Sequence, residues 1–252
     1  MNPKITDWQG RRVWLLGASS GIGAALARRL AQAGARLALS GRDAGKLAGL
    51  GIDGAVLLPC DATDAASLAD ARRGVLQALG GVDLTIYLAG DYVPMQVANF
   101  DLARAESLFS VNFLGAVRLT AAMLPEMLTT GGGIAFVASV AAYRGLPKAL
   151  AYGPGKAALI HFAECLHLEL APRGVGVWLI NPGFVATPLT AGNDFAMPAL
   201  LSPEQAAQAT FEGFAGGDFE IHYPKRFTRF MKLLALLPYR WYFPLIRRLT
   251  GV

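Results

Sequence analysis

Short apolar runs alternate with longer amphipathic stretches from the N-terminus of this chain to about residue 224. The apolar runs are bounded by Gly, Asp or Ser and are typical of buried strands. We predict strands at Val13–Leu16, Arg36–Ser40, Ala55–Cys60, Leu84–Leu88, Ile134–Ser139, Val175–Ile180 and Phe219–Tyr223. The stretches between them predict crossover helices at Gly23–Ala33, Ala65–Leu79, Ala103–Leu128 and Leu150–Leu170. This alternation predicts a single α/β domain over residues 1–224, with a doubly wound, Rossmann-type parallel sheet and helices on both faces.

The region after the sixth predicted strand is less regular. Phe184–Leu201 contains two prolines among small and polar residues, and a connection of this length favours a lid or a binding loop. A helix is expected to begin directly afterwards, because Ser202 is a good N-cap, Pro203 suits the first helical position and Gln205 completes a capping box.

Composition and charge restrict the classes of function. The 252 residues are 54% hydrophobic, enough for one large core. Two cysteines and three histidines lack the spacing of a disulfide framework or a metal site, so we expect no metal and a reducing, cytoplasmic location. Residues 225–252 hold seven basic residues and no acidic ones; subtracting them from the net charge of +5 leaves −2 for residues 1–224. We therefore expect no nucleic-acid partner.

The C-terminal tail, residues 225–252, interleaves these basic residues with aromatic and aliphatic ones. No uncharged run approaches the ~20 residues that span a bilayer, and Pro238 and Pro244 are expected to divide the tail into short pieces. The composition suits peripheral contact with the inner face of a membrane, and equally contact with a neighbouring subunit of a homo-oligomer. A lipophilic substrate fits either arrangement.

A glycine-rich segment, residues 17–23, stands between the first predicted strand and the first predicted helix. Glycines let the backbone turn tightly and approach a pyrophosphate, while a helix N-terminus offers free N–H groups and the positive end of its dipole. Glycines alone also suit an ordinary tight turn, but their position here favours a dinucleotide site.

The end of the second predicted strand bears on the choice of cofactor. An acidic residue at this turn would accept the ribose hydroxyls and repel a 2′-phosphate. This chain has no acid there until Asp43, and the guanidinium of Arg42 can pair with a phosphate. We expect NADP to be preferred over NAD; the alternative for Arg42 is a solvated loop residue.

Tyr152 and Lys156 differ by four positions and therefore share one face of a helix. A phenol with a pKa of about 10 is a poor acid or base at neutral pH, and a nearby ammonium together with an oxidised nicotinamide ring would lower that pKa. Ser139 ends the fifth predicted strand and can hold a substrate oxygen beside Tyr152, or else cap the backbone. The Gly-Pro-Gly at 153–155 is tolerated only in a first turn, so the helix is expected to begin near Tyr152.

In this order, the G-x-x-x-G-x-G loop, the strand-end serine, the Tyr-x-x-x-Lys pair and the Pro-Gly of Asn181–Thr187 resemble the short-chain dehydrogenase/reductase family, in its small single-domain branch. The resemblance extends to about residue 224. It implies an oxidoreductase that transfers a hydride between the nicotinamide of NADP(H) and a carbonyl or secondary alcohol, with Tyr152 as the general acid/base.

The resemblance also assigns roles to individual residues. Asn112 would hold a water that links Lys156 to solvent, although an asparagine there also suits a satisfied core residue. Tyr87 and Leu88 replace two asparagines that the family carries before Ala89-Gly90, which is a departure from its pattern. The catalytic residues implied are Asn112, Ser139, Tyr152 and Lys156. The cofactor-binding residues implied are Gly17, Ser19, Ser20, Gly21, Ile22, Gly23, Arg42, Asp61, Ala62, Ala89, Gly90, Tyr152, Lys156, Pro182, Gly183, Val185 and Thr187.

Two other functions fit parts of the sequence. A non-enzymatic nucleotide-binding sensor or membrane-associated scaffold would use the glycine loop but would not need the catalytic residues. An epimerase or dehydratase of the larger related branch would need a substrate domain, for which the region after Pro182 leaves little room.

Overall fold

The computed structural model describes residues 1–251, and it contains one seven-stranded sheet flanked by helices on both faces. The strands are β1 (Arg12–Leu16), β2 (Arg36–Ser40), β3 (Val56–Leu57), β4 (Leu84–Tyr87), β5 (Gly133–Val137), β6 (Gly176–Pro182) and β7 (Glu220–Tyr223). Their order is β3-β2-β1-β4-β5-β6-β7, and every neighbouring pair is parallel. The predicted fold class is confirmed.

Nine α-helices lie within the described residues. They are α1 (Gly21–Gln32), α2 (Ala44–Ala48), α3 (Ala65–Leu79), α4 (Leu102–Phe109), α5 (Gly115–Thr130), α6 (Tyr152–Leu170), α7 (Pro203–Gly216), α8 (Lys225–Ala235) and α9 (Tyr239–Thr250). The capping box predicted before α7 is present: the Ser202 hydroxyl accepts from Gln205 N at 3.2 Å, and Gln205 Oε1 accepts from Ser202 N at 2.9 Å.

The sheet is buried on both faces, which explains why its strands are continuously apolar rather than alternating. Along β1, Val13 and Leu15 pack on one side with residues of α1 and α7, whereas Trp14 and Leu16 pack on the other side with residues of α3, α5 and α6. Two large cores therefore hold the strand ends in place.

Several expectations were wrong in detail. The fifth strand ends at Val137 and not at Ser139, and the Ser139 hydroxyl caps the following turn by accepting from Ala141 N at 3.1 Å. The third strand spans only Val56–Leu57 instead of Ala55–Cys60, since only these two residues pair in register with β2. The helix expected at Ala103–Leu128 is two helices joined by a π-helical turn at Ser110–Leu114. Pro238 precedes α9, but Pro244 lies inside it and does not divide the tail there.

The continuous helical stretch Leu102–Thr130 is long and apolar enough, by length and composition, to cross a membrane. Its side chains Leu108, Leu119 and Met123 are buried, the last two of them in the core under α3 and α6. It serves as a core helix of the sheet domain.

Helices α8 and α9 pack on the segment that follows β5. Met231, Leu234, Tyr242 and Ile246 form a small core with Val140. The guanidinium of Arg144 lies 4.3 Å and 4.2 Å from the ring centroids of Tyr239 and Tyr242 and donates to the carbonyl of Ala235 at 2.7 Å. The tail is thereby fixed next to the end of β5.

Candidate active site

A cavity of about 580 Å³ opens at the carboxyl ends of β1, β4, β5 and β6, where open parallel sheets bind ligands. Strand β1 lies at the point where the strand order reverses, with β2 on one side and β4 on the other. All the residues that the sequence analysis proposed for the site line this cavity except Asn112, and they are Gly17, Ser19, Ser20, Gly21, Ile22, Gly23, Arg42, Asp61, Ala62, Ala89, Gly90, Ser139, Tyr152, Lys156, Pro182, Gly183, Val185 and Thr187.

The turn after β1 has no room for side chains at two of its glycines. Gly17 has a φ of +103°, and a Cβ added there would lie 2.4 Å from the backbone nitrogen of Ala89. A Cβ at Gly23 would lie 2.1 Å from the carbonyl oxygen of Gly17. Both glycines are therefore required for α1 to begin directly against the end of β1 and β4.

The N-terminus of α1 fits a dinucleotide pyrophosphate. Ser20 is the N-cap residue, but its side chain makes no capping hydrogen bond, and the first turn contains no acidic residue. The first N–H groups and the positive end of the helix dipole thus face the cavity without a competing carboxylate. The residues present at this end fit a bound dinucleotide.

The turn after β2 is positively charged. Arg42 and Lys46 line the cavity together with Ser19. The Asp43 carboxylate accepts a hydrogen bond from Lys46 N at 2.9 Å as the N-cap of α2, so it is engaged by that helix. Burial opposes ionisation of Asp61, but two hydrogen bonds from Thr63 and the positive charge of Arg42 nearby hold the pKa of its carboxyl below the usual value.

Ser139, Tyr152 and Lys156 meet at the opposite end of the cavity. Helix α6 begins at Tyr152, as the Gly-Pro-Gly after it predicts, with Pro154 in the first turn. The Lys156 ammonium donates to the carbonyl of Val137 at 2.8 Å and lies 5.9 Å from the centroid of the Tyr152 ring. The three side chains therefore surround one space at the end of β5.

Burial shifts the pKa of both members of the Tyr-Lys pair toward the neutral form. It raises the pKa of Tyr152 to about 12; the Ser139 hydroxyl lowers it in part, and Tyr92 raises it. Burial also lowers the pKa of Lys156 to about 7. The lowering of the phenol pKa that we expect from the ammonium together with an oxidised nicotinamide ring stays a prediction; in the protein alone the ammonium donates to the carbonyl of Val137.

Asn112 lies behind the cavity, in the π-helical turn, and is fully buried. Its amide nitrogen donates to the carbonyl of Asp91 at 2.8 Å, and its Oδ1 accepts from Asp91 N at 3.2 Å. A Cβ added to Gly90 would lie 3.0 Å from Asn112 Oδ1 and 3.4 Å from Lys156 Nζ. The two polar side chains therefore border the same small space beside Gly90.

Tyr87, one of the two departures from the family pattern, supports this π-helical turn. It is buried, and its hydroxyl donates to the carbonyl of Val111 at 2.5 Å. Burial raises the pKa of this phenol well above its usual range, so it is a neutral donor. A Cβ at Gly115 would collide with the same hydroxyl, at 2.2 Å. A tyrosine on β4 and a glycine after the turn thus fit together.

Several residues of the cavity were not found from the sequence. Tyr92 packs edge-on against Tyr152, with ring centroids 5.1 Å apart, and Arg104 lines the wall while pairing with Asp91 at 2.7 Å. Lys46 was also missed, although a second base four residues after Arg42 is a readable signal for a phosphate site. Nothing in the sequence pattern marks Tyr92 or Arg104, since both depend on how the segment after β4 turns.

The loop Phe184–Leu201, expected as a lid or binding loop, contributes five residues to the cavity wall. Thr190 holds its first turn together by donating to the carbonyl of Val185 at 2.6 Å, and Asp194 pairs with Lys148 at 2.6 Å. The lining residues of the loop are Val185, Thr187, Pro188, Leu189 and Thr190.

Comparison with known proteins identifies the family. The family model described as short chain dehydrogenase matches residues 11–196. An oxidoreductase of Myxococcus xanthus (strain DK1622), described only as uncharacterized, is 32% identical over 244 residues, which cover 93% of this chain and 95% of the relative.

Solved structures show the same fold. A short chain dehydrogenase from Burkholderia cenocepacia J2315 in complex with NADP is 25% identical, with a TM-score of 0.82 over 92% of this chain and 95% of that chain. A short chain dehydrogenase/reductase from Burkholderia phymatum in complex with NAD is 24% identical, with a TM-score of 0.83 over 91% of this chain and 94% of that chain. The chain is an oxidoreductase that belongs to the short-chain dehydrogenase/reductase family.

Proposed function

We propose that this enzyme is an NADP(H)-dependent reductase or dehydrogenase of a carbonyl/secondary alcohol pair, with Tyr152 as general acid/base. The single observation that carries the proposal is the convergence of Ser139, Tyr152 and Lys156 on one end of a cavity whose other end fits a dinucleotide. A nicotinamide cofactor is supported by the related structures, which contain NADP or NAD.

The reacting groups divide the chemistry between them. When bound, the nicotinamide supplies or accepts the hydride. Ser139 holds the substrate oxygen by a hydrogen bond from its hydroxyl. Tyr152, whose pKa is raised to about 12, is protonated at neutral pH and can donate its proton to a developing alkoxide. In the reverse direction the phenol must lose that proton, and the ammonium of Lys156 stabilises the phenolate.

A proton route to Tyr152 is proposed through Lys156 and Asn112. The lysine Nζ and the asparagine Oδ1 border the same space beside Gly90, and a water there would connect the two. With a pKa lowered to about 7, the lysine exchanges protons readily near neutral pH. Asn112 is held rigidly for this role by its two hydrogen bonds to the backbone of Asp91.

We propose NADP as the preferred cofactor. Arg42 presents a positive charge where an adenosine 2′-phosphate would lie, and Ser19 adds a hydroxyl donor. Lys46 adds a second positive charge beside them, which it shares with the Asp43 carboxylate at 3.7 Å. The acid that could instead accept the ribose hydroxyls, Asp43, is engaged as the N-cap of α2.

Arg42→Asp is expected to reverse the cofactor preference. Removing a charge-assisted contact to a phosphate and adding a carboxylate should lower kcat/KM for NADPH by roughly a hundredfold and raise it for NADH. Steady-state kinetics with both cofactors measure this. The control is Arg28→Asp, an exposed arginine of α1 outside the cavity. An unchanged NADPH/NADH ratio in Arg42→Asp contradicts the assignment.

The substrate is proposed to be a small, lipophilic carbonyl compound or alcohol. Beside the polar Ser139 and Tyr152, the wall includes Tyr92, Leu189 and Pro188. Asp91 and Arg104 also reach this wall but neutralise each other as an ion pair. A screen of carbonyls and alcohols of increasing chain length, with NADPH and NADH side by side, tests activity, cofactor and substrate class together. If none of these compounds is turned over with either cofactor, the proposal is contradicted.

We propose a cytoplasmic homo-oligomer. Helices α5 and α6 expose the apolar side chains of Leu128 and Leu168, which contact with a second copy would cover. Light scattering of the purified enzyme measures the mass, and a monomer at micromolar concentration would contradict this part. The non-enzymatic sensor is not favoured, because the related proteins are named oxidoreductases.

A further inference from the structure

The C-terminal helices carry one surface that the oxidoreductase chemistry does not use. Helix α8 and helix α9 each bury one face against the segment after β5, through Met231, Leu234, Tyr242 and Ile246. Their opposite face is exposed to solvent and is called here the basic outer face. Its members are Lys225, Arg226, Arg229, Phe230, Leu233, Leu236, Tyr239, Arg240, Trp241, Phe243, Arg247, Arg248 and Leu249.

The charge on this face is of one sign. Six of its residues are basic, none is acidic, and none of the six forms an ion pair with any other part of residues 1–251. The seventh base of the tail, Lys232, points inward and is paired with Glu220. The basic outer face is therefore free to meet a negatively charged partner.

The apolar residues of the same face are large and are interleaved with the bases. Leu236 is 80% exposed and Trp241 is 56% exposed. The rings of Tyr239 and Phe243 stack on each other, with centroids 5.4 Å apart. Helices with aromatic and aliphatic side chains among Lys and Arg lie in the interface of anionic membranes, with the rings at the level of the headgroups.

The geometry points to peripheral binding, and not to a spanning segment. At 1.5 Å per residue, helices of this length reach about 17 Å, roughly half of a bilayer core. Pro238 separates them, and each lies with one side against the protein. Both can enter only the interfacial layer.

A second copy of the chain is a poorer occupant of this face. The common closed dimer places the same patch of both subunits against each other. The six basic residues of one subunit would then face the six of the other, and their electrostatic repulsion would weaken the dimer unless anions lay between them. We propose that the basic outer face of α8 and α9 docks the enzyme on an anionic lipid surface.

The inner side of α8, opposite the basic outer face, contacts the loop that lines the cavity. The ring of Phe227, on α8, packs 5.7 Å from that of Phe184, at the start of the loop that lines the cavity. Arg144 joins α9 to the chain five residues after Ser139. A tail bound to lipid through its outer face would therefore stay joined to the loop Phe184–Leu201 through its inner face.

Intrinsic fluorescence gives a direct test, because three of the four tryptophans are buried. Trp8, Trp14 and Trp178 are at most 3% exposed, so Trp241 dominates any change at the surface. With vesicles of phosphatidylcholine and phosphatidylglycerol in equal parts, we expect a blue shift and protection from a soluble quencher. Neither should occur with phosphatidylcholine alone or with Trp241→Phe. No shift and no co-sedimentation with anionic vesicles at about 0.1 M salt would overturn the proposal.

Charge-reversal variants distinguish vesicle binding by this surface from a general effect of the protein's net charge. Lys225→Glu/Arg226→Glu/Arg229→Glu changes the first turns of α8, where carboxylates suit the helix dipole and folding should persist. We expect co-sedimentation with anionic vesicles to weaken by roughly a hundredfold. The matched control, Lys4→Glu/Arg28→Glu/Arg173→Glu, makes the same change in net charge at exposed bases elsewhere and should bind as the wild type does.

Two results would contradict the lipid partner. Equal loss of vesicle binding in both triple variants would show a nonspecific charge effect. A change of oligomeric mass in the α8 variant, without vesicle binding by the wild type, would assign the face to a second copy. Turnover of a water-soluble carbonyl in the absence of vesicles tests the oxidoreductase activity separately, and this turnover should persist in the α8 variant. If the wild type shows no such turnover, only the proposed function is contradicted.

Discussion

Tyr152→Phe is expected to lower kcat on the order of a thousandfold, within the range that a positioned general acid or base contributes. The substitution removes only the hydroxyl. The ring keeps its edge contact with Tyr92, and α6 keeps its first turn. The loss should therefore appear in kcat for both directions of the reaction, while the Kd for NADPH changes little. Single-turnover kinetics and cofactor titration measure the two quantities.

Tyr92→Phe is the matched control for this prediction. It removes the same atom from a neighbouring ring in the same cavity, at a centroid distance of 5.1 Å. Because Tyr92 raises the pKa of Tyr152, its removal should shift the pH profile slightly and change kcat by less than about tenfold. If Tyr152→Phe keeps a rate within tenfold of the wild type, Tyr152 is not the acid/base.

Most of the sheet could be predicted because its signals are local. Strand β2 has the predicted bounds, and α3 begins and ends where the pattern places it. Runs buried on both faces have to be apolar throughout, and the glycines at the first turn have to be glycine since added Cβ atoms would meet backbone atoms. The cavity that the proposed residues line follows from this, because parallel strands end at one edge.

The details that failed depend on contacts between distant segments. The π-helical turn that holds Asn112 is fixed by the Tyr87 hydroxyl on the carbonyl of Val111, across 24 positions of the sequence. The helical periodicity of the sequence does not predict a hydrogen bond of this kind. The length of β3 likewise depends on how many of its residues pair with β2, which the apolar run alone does not give. The direction of the pKa shifts at Tyr152 and Lys156 depends on burial, which the four-residue spacing alone does not give.

The Lys156 ammonium is expected to destabilise the cofactor-free enzyme below neutral pH, so Lys156→Met should be more stable there. Only 3% of Lys156 is exposed, and it pairs with no carboxylate within residues 1–251. Burial lowers its pKa from 10.5 to about 7. The unfolded chain therefore binds a proton more readily than the folded one, and folding at pH 6 pays for desolvating the charge.

The pH window follows from the two pKa values. Below about pH 7 the lysine is charged in both states and the full penalty applies, with an upper limit of about 5 kcal/mol. Between about pH 7 and 10.5 the penalty shrinks as pH rises, and above that it vanishes. The free energy of unfolding of Lys156→Met should exceed that of the wild type by a few kcal/mol at pH 6. The gain should vanish near pH 10, where the penalty on the ammonium has nearly disappeared. It should reverse if the missing hydrogen bond to the Val137 carbonyl then dominates, because methionine supplies no donor.

Urea denaturation of the cofactor-free proteins from pH 6 to pH 10 measures this difference, in which the other titrating groups cancel. Lys4→Met, at an exposed lysine, is the control and should follow the wild type at every pH. A difference between Lys156→Met and wild type that stays constant over this range would show that the ammonium is not held in an unfavourable environment. If Lys156→Met gains stability at pH 6 as expected and its kcat falls by about a hundredfold or more, the lysine is retained for proton transfer although its buried charge lowers the stability of the fold.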